Sequence, residues 1–171
     1  MYFFQDDIGL LVQHAQNNFW QFLILPQAEH FAPLLHALTY LELNLFGLNF
    51  YGYFFVTLTL HILNLFLLYR LLLLLKFHRH LALSLSMLFS INLTFVEPFL
   101  WFSAQGVILA NIFISLVFYH FLLFVSHSQK HSLYLSCLFI ICASFSYSTG
   151  VALGIIFGLI AAIFGKFIRA Y

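Results

Sequence analysis

Long apolar runs separated by short polar segments dominate this sequence, and the runs predict helices that cross a membrane. A helix that spans a bilayer needs about 20 mostly apolar residues. Five runs are candidates, at residues 50–75, 81–95, 98–125, 132–145 and 150–164. Three of these runs are about 15 residues long, so they need their flanking residues to complete a crossing.

Residues 1–49 have a different pattern and form an outer segment before the bundle of residues 50–171. Their apolar stretches at residues 8–12 and 19–25 are interrupted by His14, Asn17 and Asn18. This pattern predicts short helices that lie in the membrane interface. An alternative makes residues 8–25 a sixth span, but that span would hold polar side chains near the centre of the membrane at high cost.

The composition excludes several classes of protein. Hydrophobic residues make up 64% of the 171 residues and charged residues only 6%. So few charges cannot cover the surface of a soluble enzyme, and disordered chains need low hydrophobicity. The net charge of +1 gives no basic surface for a nucleic acid. We therefore expect an all-α, polytopic integral membrane bundle in contact with the lipid bilayer.

The charges separate onto two sides of the five-span arrangement. One side has every basic residue: Arg70, Lys76, Arg79, Lys130, Lys166 and Arg169. The other side has every acidic residue: Asp6, Asp7, Glu29, Glu42 and Glu97. Because Lys and Arg near span ends mark the cytoplasmic side, this separation predicts a cytoplasmic C-terminus and an outer segment 1–49. The membrane is then a cell inner membrane or the endoplasmic reticulum.

Two acidic features are candidates for chemistry at the outer face. Asp6 and Asp7 are adjacent acids in an otherwise uncharged, aromatic stretch, and carboxylates kept at a membrane border are often functional. The simpler interpretation is a solvated turn. Glu97 precedes Pro98, and together they suit the first turn of a helix. The functional interpretation is that Glu97 faces Asp6 or Asp7 across an outer cavity.

Other polar residues follow helical spacing. Trp101 and Gln105 lie four and eight residues after Glu97, on the same predicted helix face. His61 and Asn64 share a face within the first span, where polar groups usually bond between helices. For His61 we therefore weigh packing against ligand binding, and for Trp101 an interfacial anchor against substrate contact.

A stripe of small residues marks the last run. Gly150, Gly154 and Gly158 recur every four residues, a spacing that lets another helix approach closely. These three are the candidate helix-packing residues. Cys137 and Cys142 are interpreted as small buried apolar side chains rather than a disulfide or a metal pair, and no metal motif is predicted.

The order of several short motifs resembles a known family. After the Asp pair come His30-Phe31-Ala32-Pro33-Leu34, Leu45-Phe46-Gly47-Leu48-Asn49, His61-Ile62-Leu63-Asn64, Leu67-Leu68-Tyr69, Phe95-Val96-Glu97-Pro98 and Trp101-Phe102-Ser103. Over about residues 4–165, the chain resembles the N-terminal half of the GT-C membrane glycosyltransferases. It is most similar to protein O-mannosyltransferase-like enzymes and their tetratricopeptide-bearing relatives.

The resemblance implies transfer of a sugar from a polyprenyl-phosphate donor at the outer face. It places the catalytic acid at Asp6 or Asp7 and a second acid at Glu97, which would orient the acceptor or a divalent cation. The candidate substrate-binding residues are His30, His61, Trp101 and Gln105. The family has a span before its acid, has Arg-Pro where this chain has Ala32-Pro33, and continues through further spans. The implied protein is thus a module or fragment, and its activity alone is left open.

The sequence also leaves two other functions open. A non-catalytic subunit would pack in a larger membrane complex with other membrane subunits through the glycine stripe. A haem- or pigment-binding protein would use His61 or His120 as a ligand.

Overall fold

The computed structural model describes residue 3 and residues 5–26, 31–92, 96–148, 150–152 and 154–156, and this part of the chain is helical without strands. The helices in chain order are α1 Gln5–Gln16, α2 Phe19–Ile24, α3 Pro33–Phe46, α4 Phe50–Leu74, α5 Arg79–Ser90, α6 Val96–Leu100, a 3-10 turn Phe102–Ala104, α7 Gln105–His127 and α8 Lys130–Ser146. Residues 150–152 and 154–156 are also helical. The all-helical prediction is confirmed.

Local sequence signals explain where the first helices begin and end. Asn18 and Gln21 form a capping box that begins α2, so residues 8–25 make two helices rather than the single helix of the sixth-span alternative. Pro33 suits the first turn of α3. Gly47 follows α3 with φ of 54°, a conformation that favours glycine. The Asn49 side chain then caps α4.

Among the residues that the structure describes, two helices are long and apolar enough to cross a membrane. They are Phe50–Leu74, with 25 residues, and Phe102–His127, with 26 residues, in which the 3-10 turn continues into α7. In the apolar 18-residue stretch of each helix, only 17% of the first and 22% of the second is buried. The core helix of a soluble protein is instead mostly buried. Their exposed apolar surfaces suit lipid, and they support the prediction of an integral membrane protein.

The two long helices run in parallel. Near their starts, Gln105 of α7 bonds to Thr57 of α4. Near their ends, Tyr119 of α7 and Arg70 of α4 line the same groove. Helix α8 returns antiparallel to α7: Ser136 bonds to the Val117 carbonyl deep in the helix, and the last turn of α8 lies against Gly106 at the start of α7.

This arrangement separates the charges of the described residues. Asp7 and Glu42 lie where α4 and α7 begin, which we call the acidic end. Arg70 and Arg79 lie where these helices finish, which we call the basic end. A helix of 25 residues is about 37 Å long, so the two ends are a membrane thickness apart.

The short runs differ in detail from the predicted helices. The second predicted span, 81–95, overlaps α5, which begins at Arg79, has only 12 residues and ends at Ser90. The third predicted span was expected to begin at Pro98 as one helix, but the backbone is extended at Trp101, and α7 begins at Gln105. The periodicity of the apolar residues did not predict this break, because Trp101 and Phe102 continue the apolar run through it.

Gly150 and Gly154 of the glycine stripe lie against α8 of the same chain. A Cβ atom at Gly150 would overlap the backbone of Ala143 and Ser144, and one at Gly154 would lie 3.2 Å from the Ile140 side chain. Gly158 lies outside the described residues. Both cysteines are free. Cys137 is exposed and Cys142 is half-buried, so the prediction that both are buried is wrong.

Candidate functional site at the acidic end

The first carboxyl group of the site belongs to Asp7. Asp7 is in the first turn of α1 and has no exposed surface, whereas its neighbour Asp6 is exposed. The backbone N–H of Ser103, in the 3-10 turn, donates to Asp7 Oδ1 at 3.0 Å. This bond joins the beginning of the chain to a turn 96 residues later, and it distinguishes Asp7 from Asp6.

The second carboxyl group belongs to Glu42 of α3, whose exposed fraction is 1%. Gln105 donates to Glu42 Oε1 through its Nε2 at 3.1 Å. Burial raises the pKa of Glu42 to about 8, and the Gln105 bond opposes that rise because it favours the ionised form. Glu42 is therefore largely protonated at neutral pH.

Gln105 is the link between three helices. Besides Glu42 of α3, its Nε2 lies 2.7 Å from Thr57 Oγ1 and 3.3 Å from the Tyr53 carbonyl oxygen, both on α4. Gln105 itself is fully buried at the start of α7. Ser103 and Gln105 are two positions apart, at most about 7 Å along the chain, so the same short segment contacts both carboxyl groups.

We call Asp7, Glu42, Thr57, Ser103 and Gln105 the acidic-end cluster. Aromatic residues enclose it: Phe3 makes edge contacts with Phe50, Tyr53 and Phe102. Tyr53 and Phe102 belong to a buried apolar cluster with Leu10, Phe22 and Leu43. Apolar walls keep water away, and hydrogen bonds and charges act more strongly in such surroundings.

Helix α3 supplies a polar stripe beside the cluster. His36, Thr39 and Glu42 are spaced by three residues and are all buried. Among the described residues, His36 Nε2, Thr39 Oγ1 and Glu42 Oε2 have no hydrogen-bond partner. Burial lowers the pKa of His36, whose Nδ1 lies 3.4 Å from the Leu23 carbonyl. Buried polar atoms of this kind are costly unless they serve a ligand or a movement.

The other predicted site residues are spread around the cluster. Glu97 is exposed in α6, five residues before the 3-10 turn, and Trp101 is half-buried. His61 is buried on α4, one turn after Thr57, with its ring 5.4 Å from that of Phe99. His30 lies outside the described residues. Of the predicted residues, the structure brings Asp7 and Gln105 into the cluster.

Sequence reasoning missed three members of the cluster, namely Glu42, Thr57 and Ser103. Glu42 could have been found from the sequence, because the polar residues His36, Thr39 and Glu42 recur every three residues and so share one face of α3. Ser103 contributes a backbone N–H and Thr57 contributes one hydroxyl in an apolar helix, so neither has a sequence signal. The part of the chain that the structure describes contains no group of three His, Cys, Asp or Glu side chains arranged to hold a metal ion.

Comparison with known proteins gives no further guide to the site. No protein-family model, no curated protein and no solved structure matches this chain.

Proposed function

We propose that this chain is a membrane glycosyltransferase module that transfers a sugar from a polyprenyl-phosphate donor at the outer membrane face. The observation that carries the proposal is the hydrogen bond from Ser103 to Asp7, beside the bond from Gln105 to Glu42. Both acids belong to the segment that precedes α4, and both donors belong to the segment that follows Glu97. The order of motifs that resembles the GT-C enzymes adds independent support.

Asp7 is the catalytic base in this proposal. Its carboxylate takes the proton from the acceptor hydroxyl, whose oxygen attacks the anomeric carbon of the sugar. The bond between that carbon and the phosphate oxygen breaks, and the polyprenyl phosphate leaves with the electron pair. The Ser103 N–H occupies one lone pair of Asp7 and so orients the carboxylate. The charge balance needs no further reactant.

Glu42 and Glu97 have different roles in this proposal. Protonated Glu42 has an Oε2 without a described partner, so it can donate a hydrogen bond to a phosphate or sugar oxygen. Glu97 is exposed and orients the acceptor. Asp7 has no exposed surface, so a substrate reaches it only when α1 moves away from the 3-10 turn. The reaction therefore includes an opening of the acidic-end cluster.

The test is a donor-release assay with the full chain in lipid nanodiscs, using polyprenyl-phosphate mannose and measuring free polyprenyl phosphate. We expect release by the wild type, a loss of at least about a hundredfold in Asp7→Asn, and less than about a tenfold loss in Asp6→Asn. Absence of release by the folded wild type, or equal losses in the two Asp variants, would contradict the proposal.

A second candidate is a non-catalytic subunit of a membrane complex. The complete burial of both Asp7 and Glu42 favours it, because structural acids are commonly enclosed and bonded. If the chain is such a subunit, Asp7→Asn changes its thermal stability, and neither the wild type nor the variant releases polyprenyl phosphate. The same nanodisc preparation therefore distinguishes the two functions.

A further inference from the structure

A groove at the basic end combines two cationic side chains with apolar ones. Its volume is about 540 Å³, and it lies between the last turns of α4, the first turn of α5 and α7. It is lined by Phe66, Tyr69, Arg70, Leu73, Leu74, Arg79 and Tyr119, which we call the basic groove. The residues of this lining include two guanidinium groups and no carboxylate.

Contacts within the groove position both arginines without neutralising them. Arg79 Nε donates to the Tyr69 hydroxyl at 3.4 Å. Arg70 lies over the Phe66 ring, with Cζ 5.8 Å from the ring centre. Both arginines are exposed, and the described acids lie on α1, α3 and α6. Asp7 bonds to the 3-10 turn and Glu42 bonds to Gln105, which also bonds to Thr57. About 20 Å of helix separates Thr57 from Arg70.

The apolar part of the lining indicates what kind of anion fits. Leu73, Leu74 and Phe66 form a wall beside the two charges, and Phe66 is 51% exposed. A small inorganic anion would use the guanidinium groups and leave this wall bare. An anionic lipid would use both, because its phosphate pairs with Arg while its acyl chains lie along the exposed apolar face of α4.

We propose that the basic groove binds the phosphate of an anionic phospholipid, with Arg70 and Arg79 as the phosphate ligands. Tyr69 holds the Arg79 guanidinium in place, and Tyr119 of α7 also lines the groove. The groove lies at the end of the molecule where Lys and Arg accumulate, which is the leaflet rich in anionic lipid when the positive-inside rule holds. This inference does not depend on the proposed glycosyl transfer, which concerns the acidic end.

The experiment measures thermal unfolding of the full chain in neutral detergent with added phosphatidylglycerol, phosphatidylcholine or inorganic phosphate. Phosphatidylglycerol should raise the melting temperature, because a ligand that binds only the folded state stabilises it. Phosphatidylcholine and inorganic phosphate at the same concentration should raise it much less. An equal rise with inorganic phosphate would overturn the lipid assignment.

Three variants test the residues. Arg70→Gln with Arg79→Gln should lower the apparent affinity for phosphatidylglycerol at least about tenfold, and Arg70→Lys with Arg79→Lys should keep an intermediate affinity. Lys130→Gln is the matched control, since Lys130 is an exposed cation at the same end but outside the groove lining. The melting temperature without lipid shows whether each variant is folded. A full lipid effect in the folded Gln double variant would overturn the proposal.

Discussion

The Ser103 backbone N–H donates to the buried Asp7 carboxylate at 3.0 Å, and this bond anchors α1 to the turn before α7. Asp6, one residue earlier, is exposed. Adjacent residues of identical chemistry thus occupy opposite environments. This contrast gives each experiment on Asp7 a control that differs by one position.

The first prediction concerns the stability that Asp7 contributes. Asp7→Ala removes a buried hydrogen-bond acceptor and leaves the Ser103 N–H unpaired, which should lower the free energy of unfolding by about 1–3 kcal/mol. Asp6→Ala, at an exposed position, should change it by about 0.5 kcal/mol or less. Thermal unfolding in detergent measures both, and equal losses in the two variants would contradict the assigned burial of Asp7.

The second prediction concerns pH and Glu42. Its pKa is about 8 in the folded chain and 4.5 ordinarily. Between these values the folded state retains a proton that the unfolded state has lost, so stability falls as the pH rises. The slope is at most about 1.4 kcal/mol per pH unit, and it vanishes below about 4.5 and above about 8.

Glu42→Gln removes this titration and keeps the shape of the side chain. The stability of the variant relative to the wild type should therefore increase between about pH 5 and pH 8. Melting temperatures of both proteins across this range measure the difference. A difference that stays constant with pH would show that Glu42 does not titrate in that window.

The third prediction isolates the Gln105 bond to α4. Thr57 and Thr59 each donate to the carbonyl four residues earlier, but only Thr57 also accepts from Gln105, at 2.7 Å. Thr57→Val should cost about 1 kcal/mol more than Thr59→Val, because it leaves a buried amide N–H with fewer acceptors. Similar losses for the two variants would argue against the contact between α4 and α7.

The fourth prediction concerns the glycine that lies against α8. A Cβ atom at Gly150 would overlap the Ala143 backbone of α8. In Gly150→Ala the segment at residue 150 must therefore move away from α8, which should lower the melting temperature by several degrees. Gly9 is an exposed residue of α1, and a Cβ atom there would have nothing within 4 Å. Gly9→Ala should instead raise stability slightly, by up to about 1 kcal/mol, through helix propensity. Unchanged stability in Gly150→Ala would contradict the close approach.

The long helices could be predicted from the sequence, and the cluster could be predicted only in part. Phe50–Leu74 matches the predicted run 50–75 because a continuous apolar stretch of that length has no other stable form in lipid. Asp7 was predicted from its chemistry. Gln105 was predicted from a shared helix face with Glu97 and Trp101, and that face is wrong because the backbone is extended at Trp101 and breaks the helix. The bond between Asp7 and Ser103 depends on a backbone group and on a 96-residue contact, and sequence patterns contain neither.

The opposite membrane exposure of the acidic and basic ends is the central claim. A direct measurement uses single cysteines at two exposed positions, Asp6→Cys and Lys130→Cys, in a chain whose Cys137 and Cys142 are replaced by serine. The chain is expressed in the inner membrane of bacterial cells, and the intact cells are treated with a membrane-impermeant maleimide before and after permeabilisation. We expect the cysteine at position 6 to react in intact cells and the one at position 130 to react only after permeabilisation. Reaction of both cysteines from the same side would contradict the claim.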